Sequence, residues 1–100
     1  MQVRATSRIL AVIGDPVAHS LSPVMQNRAI AMLGLDAVYV ALHATAATFE
    51  TVARGILAVG GALNVTVPFK RQAAALLAHA SDSVRRTGAC NTVWGGEAAP

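Results

Sequence analysis

The chain has 100 residues, 54% of them apolar and 13% charged, with a formal net charge of +3. That length gives one small domain or part of a larger protein, and because much of the apolar content is alanine, a thin core that leans on a partner surface is expected. Basic residues are scattered, with only Lys70-Arg71 and Arg85-Arg86 adjacent, which argues against nucleic-acid binding, and no apolar run reaches the length of a membrane span.

Ile9 to Gly14 is a continuous apolar run that ends in Gly14-Asp15-Pro16, the pattern of a strand buried on both faces and then a loop. Ser22 before Pro23 reads as an N-cap followed by a first-turn proline. Met25, Ala29, Met32 and Leu33 follow at helical spacing until Gly34. Ala37 to Leu42 is β-rich and apolar. Thr45 or Thr48 is placed to cap a helix whose inner face is Phe49, Val52, Ala53, Ile56 and Val59, ended by Gly60-Gly61. Ala62 to Val67 reads as a third strand, Phe69 to about Ala78 as a third helix, about Ser81 to Thr87 as a short helix, and about Cys90 to Trp94 as a last strand. The alternation predicts an α/β fold, a mostly parallel sheet with helices on both faces in three layers, with ligands at the carboxyl ends of the strands.

That rule gathers the polar residues. Ser20 and Ser22 lie after the first strand, Asn64, Thr66 and Lys70 at the end of the third, and Asn91 and Thr92 at the start of the last. Period two puts Asn64 and Thr66 on one face. Each alone has a structural use: a helix cap, a satisfied backbone group, a turn. Convergence of three loops favours a small ligand rich in hydroxyls. Lys70 is the only lysine of the chain. In the first turn of a helix it faces the positive end of the macrodipole, which disfavours the ammonium form and suits proton exchange.

Three segments carry a resemblance. Gly14-Asp15-Pro16-Val17-Ala18-His19-Ser20-Leu21-Ser22-Pro23, Asn64 to Lys70, and Gly88-Ala89-Cys90-Asn91-Thr92 resemble the motifs of the substrate-binding domain of shikimate dehydrogenase, over about Ile9 to Trp94. The resemblance implies that Ser20 and Ser22 bind the substrate carboxylate, that Asn64, Thr66 and Asn91 contact hydroxyls, and that Lys70 is the catalytic acid/base. It also implies NADPH-dependent reduction of 3-dehydroshikimate to shikimate, a step of aromatic amino acid biosynthesis. Gln26 stands where many members have histidine, and Cys90 where valine is usual. The family's catalytic aspartate and glycine-rich nucleotide domain have no counterpart in residues 1–100, which read as the substrate-binding domain, inactive by itself, with NADP held by a domain outside them. Glu97 lies in what reads as a loop and is not assigned the aspartate's role.

Shikimate or 3-dehydroshikimate and the missing nucleotide-binding domain are the expected partners, with no nucleic acid and no membrane; a homodimer is left open. Two other readings are a non-catalytic shikimate or quinate-binding module and a quinate/shikimate dehydrogenase relative. A flavodoxin-like nucleotide-binding domain ranks last, because Gly14 to Ser22 lacks the glycine spacing for a pyrophosphate. The lone Cys90 forms no intrachain disulfide and reads as a buried thiol in a reducing, cytoplasmic setting. His19 is expected to brace the serine loop. No histidine pair has metal-ligand spacing on one helix face.

Overall fold

Strand β1 (Arg8–Gly14) becomes progressively enclosed along its length, until Ala11 to Gly14 are fully buried. It lies between two parallel neighbours, β2 (Ala37–His43) and β3 (Ala62–Val65). The computed structural model describes residues 2–66, 68–75, 79–80, 92–94 and 97–99. A buried central strand reads as an unbroken apolar run because both of its faces meet helices, which is how Ile9 to Ile13 read.

The chain leaves β1 through a loop with a cis Asp15-Pro16 bond, forms α1 (Ser22–Leu33) and returns as β2. It then runs through α2 (Phe49–Ala58), passes β1 and enters β3 on the far side. One face of the sheet therefore packs Val12, Val17 and Tyr39 with Ile30 of α1. The other packs Ala11, Ile13, Leu63 and Val65 with Phe49 and Ala53 of α2 and with Phe69 and Ala73 around α3 (Lys70–Ala75). Helices on both faces were expected, and the sheet carries them.

Beyond β3 the sheet is mixed. Its order is β2-β1-β3-β5-β6-β4, with β4 at His79–Ala80, β5 at Thr92–Trp94 and β6 at Glu97–Ala99. β5 runs antiparallel to β3 and β6 antiparallel to β5, while β4 pairs with β6 in parallel. The segment around Glu97 is thus a strand and not a loop; its pairing partners are in β5 and β4, contacts that local composition does not encode. β4 had no sequence signal either. Val67, residues 76–78, the expected helix at 81–87, Cys90 and Asn91 lie outside the described residues.

Several local readings need correction. α1 begins one residue early, with Leu21 at the N-cap position and no side-chain cap bond. Ser22 sits inside the first turn, and its N–H donates to Ser20 Oγ at 3.3 Å. Of the apolar residues of α1 only Ile30 is buried; Met25, Met32 and Leu33 are exposed. The buried side of α1 is instead set by Pro23, Asn27 and Ile30, at one-turn spacing. Val59 is also exposed, because α2 ends at Ala58 and Gly60, at φ +79°, turns the chain away. Thr48 holds the N-cap position of α2, but its Oγ1 accepts the Thr45 N–H at 2.8 Å and caps no helical N–H.

Candidate active-site cleft

β1 and β3 are adjacent and parallel, yet the segments that follow them go to opposite faces of the sheet, α1 to one and α3 to the other. Divergence of this kind opens a crevice at the carboxyl ends of the strands. A cleft of about 300 Å³ lies there, lined by Val12, Pro16, Val17, His19, Ser20, Ser22 and Thr66. Ser20, Ser22 and Thr66 are half-buried. The Thr66 N–H donates to Ile13 O at 3.0 Å, which carries the β1–β3 ladder one residue past β3 and brings the Thr66 side chain opposite the serine loop. Gly14 permits this approach: a Cβ there would collide with Thr66 Cγ2.

A second recess of about 180 Å³ is lined by Leu10, Gln26, Tyr39, Ala62, Leu63, Asn64 and Thr92. Asn64 pairs in register with Val12, a wall residue of the first cleft, and with Thr92 on its other side. Its amide is keyed at both ends. Tyr39 Oη donates to Asn64 Oδ1 at 2.7 Å, and Asn64 Nδ2 donates to Thr92 Oγ1 at 3.2 Å. Burial raises the Tyr39 phenol above its ordinary pKa, and a hydrogen bond with Ser22 pulls the other way. The phenol therefore stays protonated across the neutral range.

Tyr39 was absent from the residues singled out in the sequence. The signal was available: it is the only tyrosine, it falls in an apolar strand, and a buried tyrosine hydroxyl needs a polar partner. Asn27 was missed as well. Its amide accepts the Tyr39 N–H and donates to the Tyr39 carbonyl, both at 2.8 Å, fastening α1 to β2.

Lys70 is exposed at the first residue of α3 and is not among the residues lining either recess. It follows a tight turn in which Phe69 N–H donates to Thr66 O at 3.0 Å, and the wholly buried Phe69 anchors that turn. His19 lines the cleft as an exposed side chain. His43 pairs with Asp15 at 2.9 Å on the surface. Among the described residues no group of three His, Cys, Asp or Glu side chains is placed to hold a metal, and no helix is long and apolar enough to cross a membrane.

A two-faced sheet with a hydroxyl-lined crevice at its switch point defines a small-molecule binding domain of the α/β class. Residues 12–93 match the family described as shikimate dehydrogenase substrate binding domain, and the chain belongs to that family. It is 48% identical over 93 residues to shikimate dehydrogenase (NADP(+)) of Anaeromyxobacter dehalogenans strain 2CP-1, covering 91% of this chain and 33% of the relative. Identity to the enzyme of the same name from Microcystis aeruginosa is 40% over 93 residues, covering 92% and 32%. Among solved structures, shikimate dehydrogenase from Aquifex aeolicus superimposes with a TM-score of 0.90 at 38% identity, over 97% of this chain and 38% of that one. The Listeria monocytogenes enzyme in complex with shikimate and NAD gives 0.88 at 34%, over 94% and 33%. The chain thus spans about a third of the length of the curated relatives it matches.

Proposed function

We propose that residues 1–100 form the substrate-binding domain of an NADP-dependent shikimate dehydrogenase and hold shikimate or 3-dehydroshikimate in the cleft between the β1 and β3 loops. The observation that carries this reading is the meeting of Ser20, Ser22 and Thr66 in one half-buried crevice, with Asn64 keyed beside it. Ser20 and Ser22 offer hydroxyl donors to the ligand carboxylate, and Thr66, Asn64 and Asn91 bind ring hydroxyls. Lys70 exchanges the proton of the reacting oxygen.

The redox partner named for the relatives is NADP(+). The β1–α1 segment does not fit it: its one glycine is Gly14, and the first turn of α1 carries Pro23, which has no N–H to give a pyrophosphate. The nucleotide is accordingly assigned to a separate domain, and Lys70 and the cleft residues supply binding, orientation and proton transfer. The same reading includes residence in the cytoplasm, a step in aromatic amino acid biosynthesis, and a homodimer as the simplest assembly.

The test is an assay of the polypeptide carrying this domain for shikimate-dependent reduction of NADP+, with quinate as the competing substrate. Saturable turnover of shikimate is expected. Turnover of quinate in preference supports the quinate/shikimate dehydrogenase relative, and binding of either acid without turnover supports a non-catalytic module.

A further inference from the structure

We propose that Tyr39 is a positioning residue that holds the Asn64 side-chain amide in one place beside the cleft, where it hydrogen-bonds a ligand hydroxyl; the ligand's identity rests on the reading above. An asparagine amide is nearly symmetric in shape, and turning it over exchanges a carbonyl oxygen for an NH2 group. Two hydroxyl partners satisfy either orientation, since each donates or accepts, but together they fix where the amide lies. Here the Tyr39 hydroxyl donates to Oδ1 at 2.7 Å, while Thr92 Oγ1 accepts from Nδ2 at 3.2 Å. The oxygen keeps a second lone pair and Nδ2 a second N–H, so the held amide can accept from or donate to a ring hydroxyl.

The sheet explains how a residue of β2 reaches β3. Tyr39 is level with Leu10 of β1, and Leu10 with Ala62 of β3. Alanine at position 62 leaves room for the ring to cross β1 and place its hydroxyl at Asn64, two residues further along. Tyr39 is 5% exposed, and its own backbone is held on the outer side by the Asn27 amide. A relay therefore runs from α1 through Asn27, the Tyr39 backbone and the Tyr39 hydroxyl to Asn64 and β5. Both bonds to Asn27 use main-chain atoms, so replacing the Tyr39 hydroxyl alone leaves that anchorage intact.

The experiment compares the polypeptide carrying this domain with Tyr39→Phe, Asn64→Ala and the double variant. Phenylalanine keeps the ring, so a small change in thermal midpoint is expected. KM for shikimate should rise about tenfold in Tyr39→Phe, the scale of one lost hydrogen bond, with kcat within roughly twofold. Tyr39→Phe should add almost nothing on the Asn64→Ala background. An unchanged KM, or effects that multiply in the double variant, overturns the proposal. NMR of the Asn64 side-chain amide reads the positioning with no substrate present: one resolved pair of resonances is expected in the native protein and a broadened or doubled pair in Tyr39→Phe. An unaltered pair overturns it. If the amide responds but the native protein neither binds nor turns over shikimate, the positioning role stands and the shikimate reading fails.

Discussion

Phe49 and Phe69 stack with ring centroids 4.7 Å apart and planes 21° from parallel, so the first residue of α2 holds the residue just before Lys70. Both rings are essentially sealed from solvent. Phe69 thus anchors the start of α3 in the core. Phe69→Ala is expected to destabilise the domain by about 3–5 kcal/mol, the usual cost of emptying an aromatic core site. Phe69 and Phe49 substitutions should couple by about 0.5–1.5 kcal/mol beyond their separate effects. Urea unfolding of the single and double variants measures both. Independent effects would mean that the two rings are merely adjacent.

Lys70→Ala should reduce turnover of shikimate by roughly 10²- to 10⁴-fold, with much less change in affinity because Ser20, Ser22 and Asn64 remain. Lys70→Arg keeps the charge but gives up no proton at working pH, so it should fail equally. Steady-state kinetics of the two variants decide between acid/base and electrostatic roles. Near-normal turnover in Lys70→Arg would assign Lys70 to binding.

Gly14→Ala should weaken shikimate binding more than it weakens the fold. The added methyl meets the Thr66 side chain, and the carbonyl of Pro16 at 3.3 Å blocks retreat on that side. Thr66 has to rotate or move out of the cleft wall. Overpacking of this kind costs about 1–3 kcal/mol, which corresponds to roughly a tenfold or larger loss of affinity if it falls on the cleft. Calorimetric titration with shikimate, set beside the thermal midpoint, separates the two effects.

At the other end of β1, Ser7 Oγ and Thr6 Oγ1 donate to the Asp36 carboxylate at 2.6 and 2.5 Å. These bonds, Ser7 first and then Thr6, with a smaller pull from Arg4, hold the Asp36 pKa below its ordinary value of 3.8. A carboxyl whose folded pKa is depressed stabilises the fold fully above the unfolded value and loses that contribution as pH falls through the folded one. Asp36→Asn should therefore lower the thermal midpoint at neutral pH and converge with the native protein in strong acid. A midpoint series from neutral to acid pH checks this. Parallel curves would show that the Thr6–Ser7–Asp36 contacts add nothing to stability.

Much of the fold was legible wherever a local signal and a tertiary environment agreed. The run Ile9 to Ile13 reads as a doubly buried strand because every side chain is apolar, and the Gly34 and Gly60 stops are legible because both glycines adopt positive φ. α1 misled for a physical reason. Its apolar residues occur on more than one side, and the side that docks is chosen by Asn27 bonding to β2, a contact 12 residues away in sequence. β6 was illegible because Glu97–Ala99 owes its extended form to pairing with Thr92–Trp94. In the cleft, Ser20, Ser22 and Thr66 could be grouped from sequence, since strand ends and period two place them. Tyr39 could not be placed without the β2–β1–β3 register that carries its ring across β1.

The Asn27 amide also has a consequence for how the protein behaves among its own copies. β2 is an outer strand of the sheet, and Ala37 to Leu42 is an uncharged, β-rich apolar stretch, the composition from which intermolecular strand stacking grows. A second chain adding to that border would need the outward N–H and C=O of Tyr39, midway along the strand. Asn27 already holds both. One side chain of α1 thus takes the place of a neighbouring strand's peptide at Tyr39 and interrupts the border at its middle.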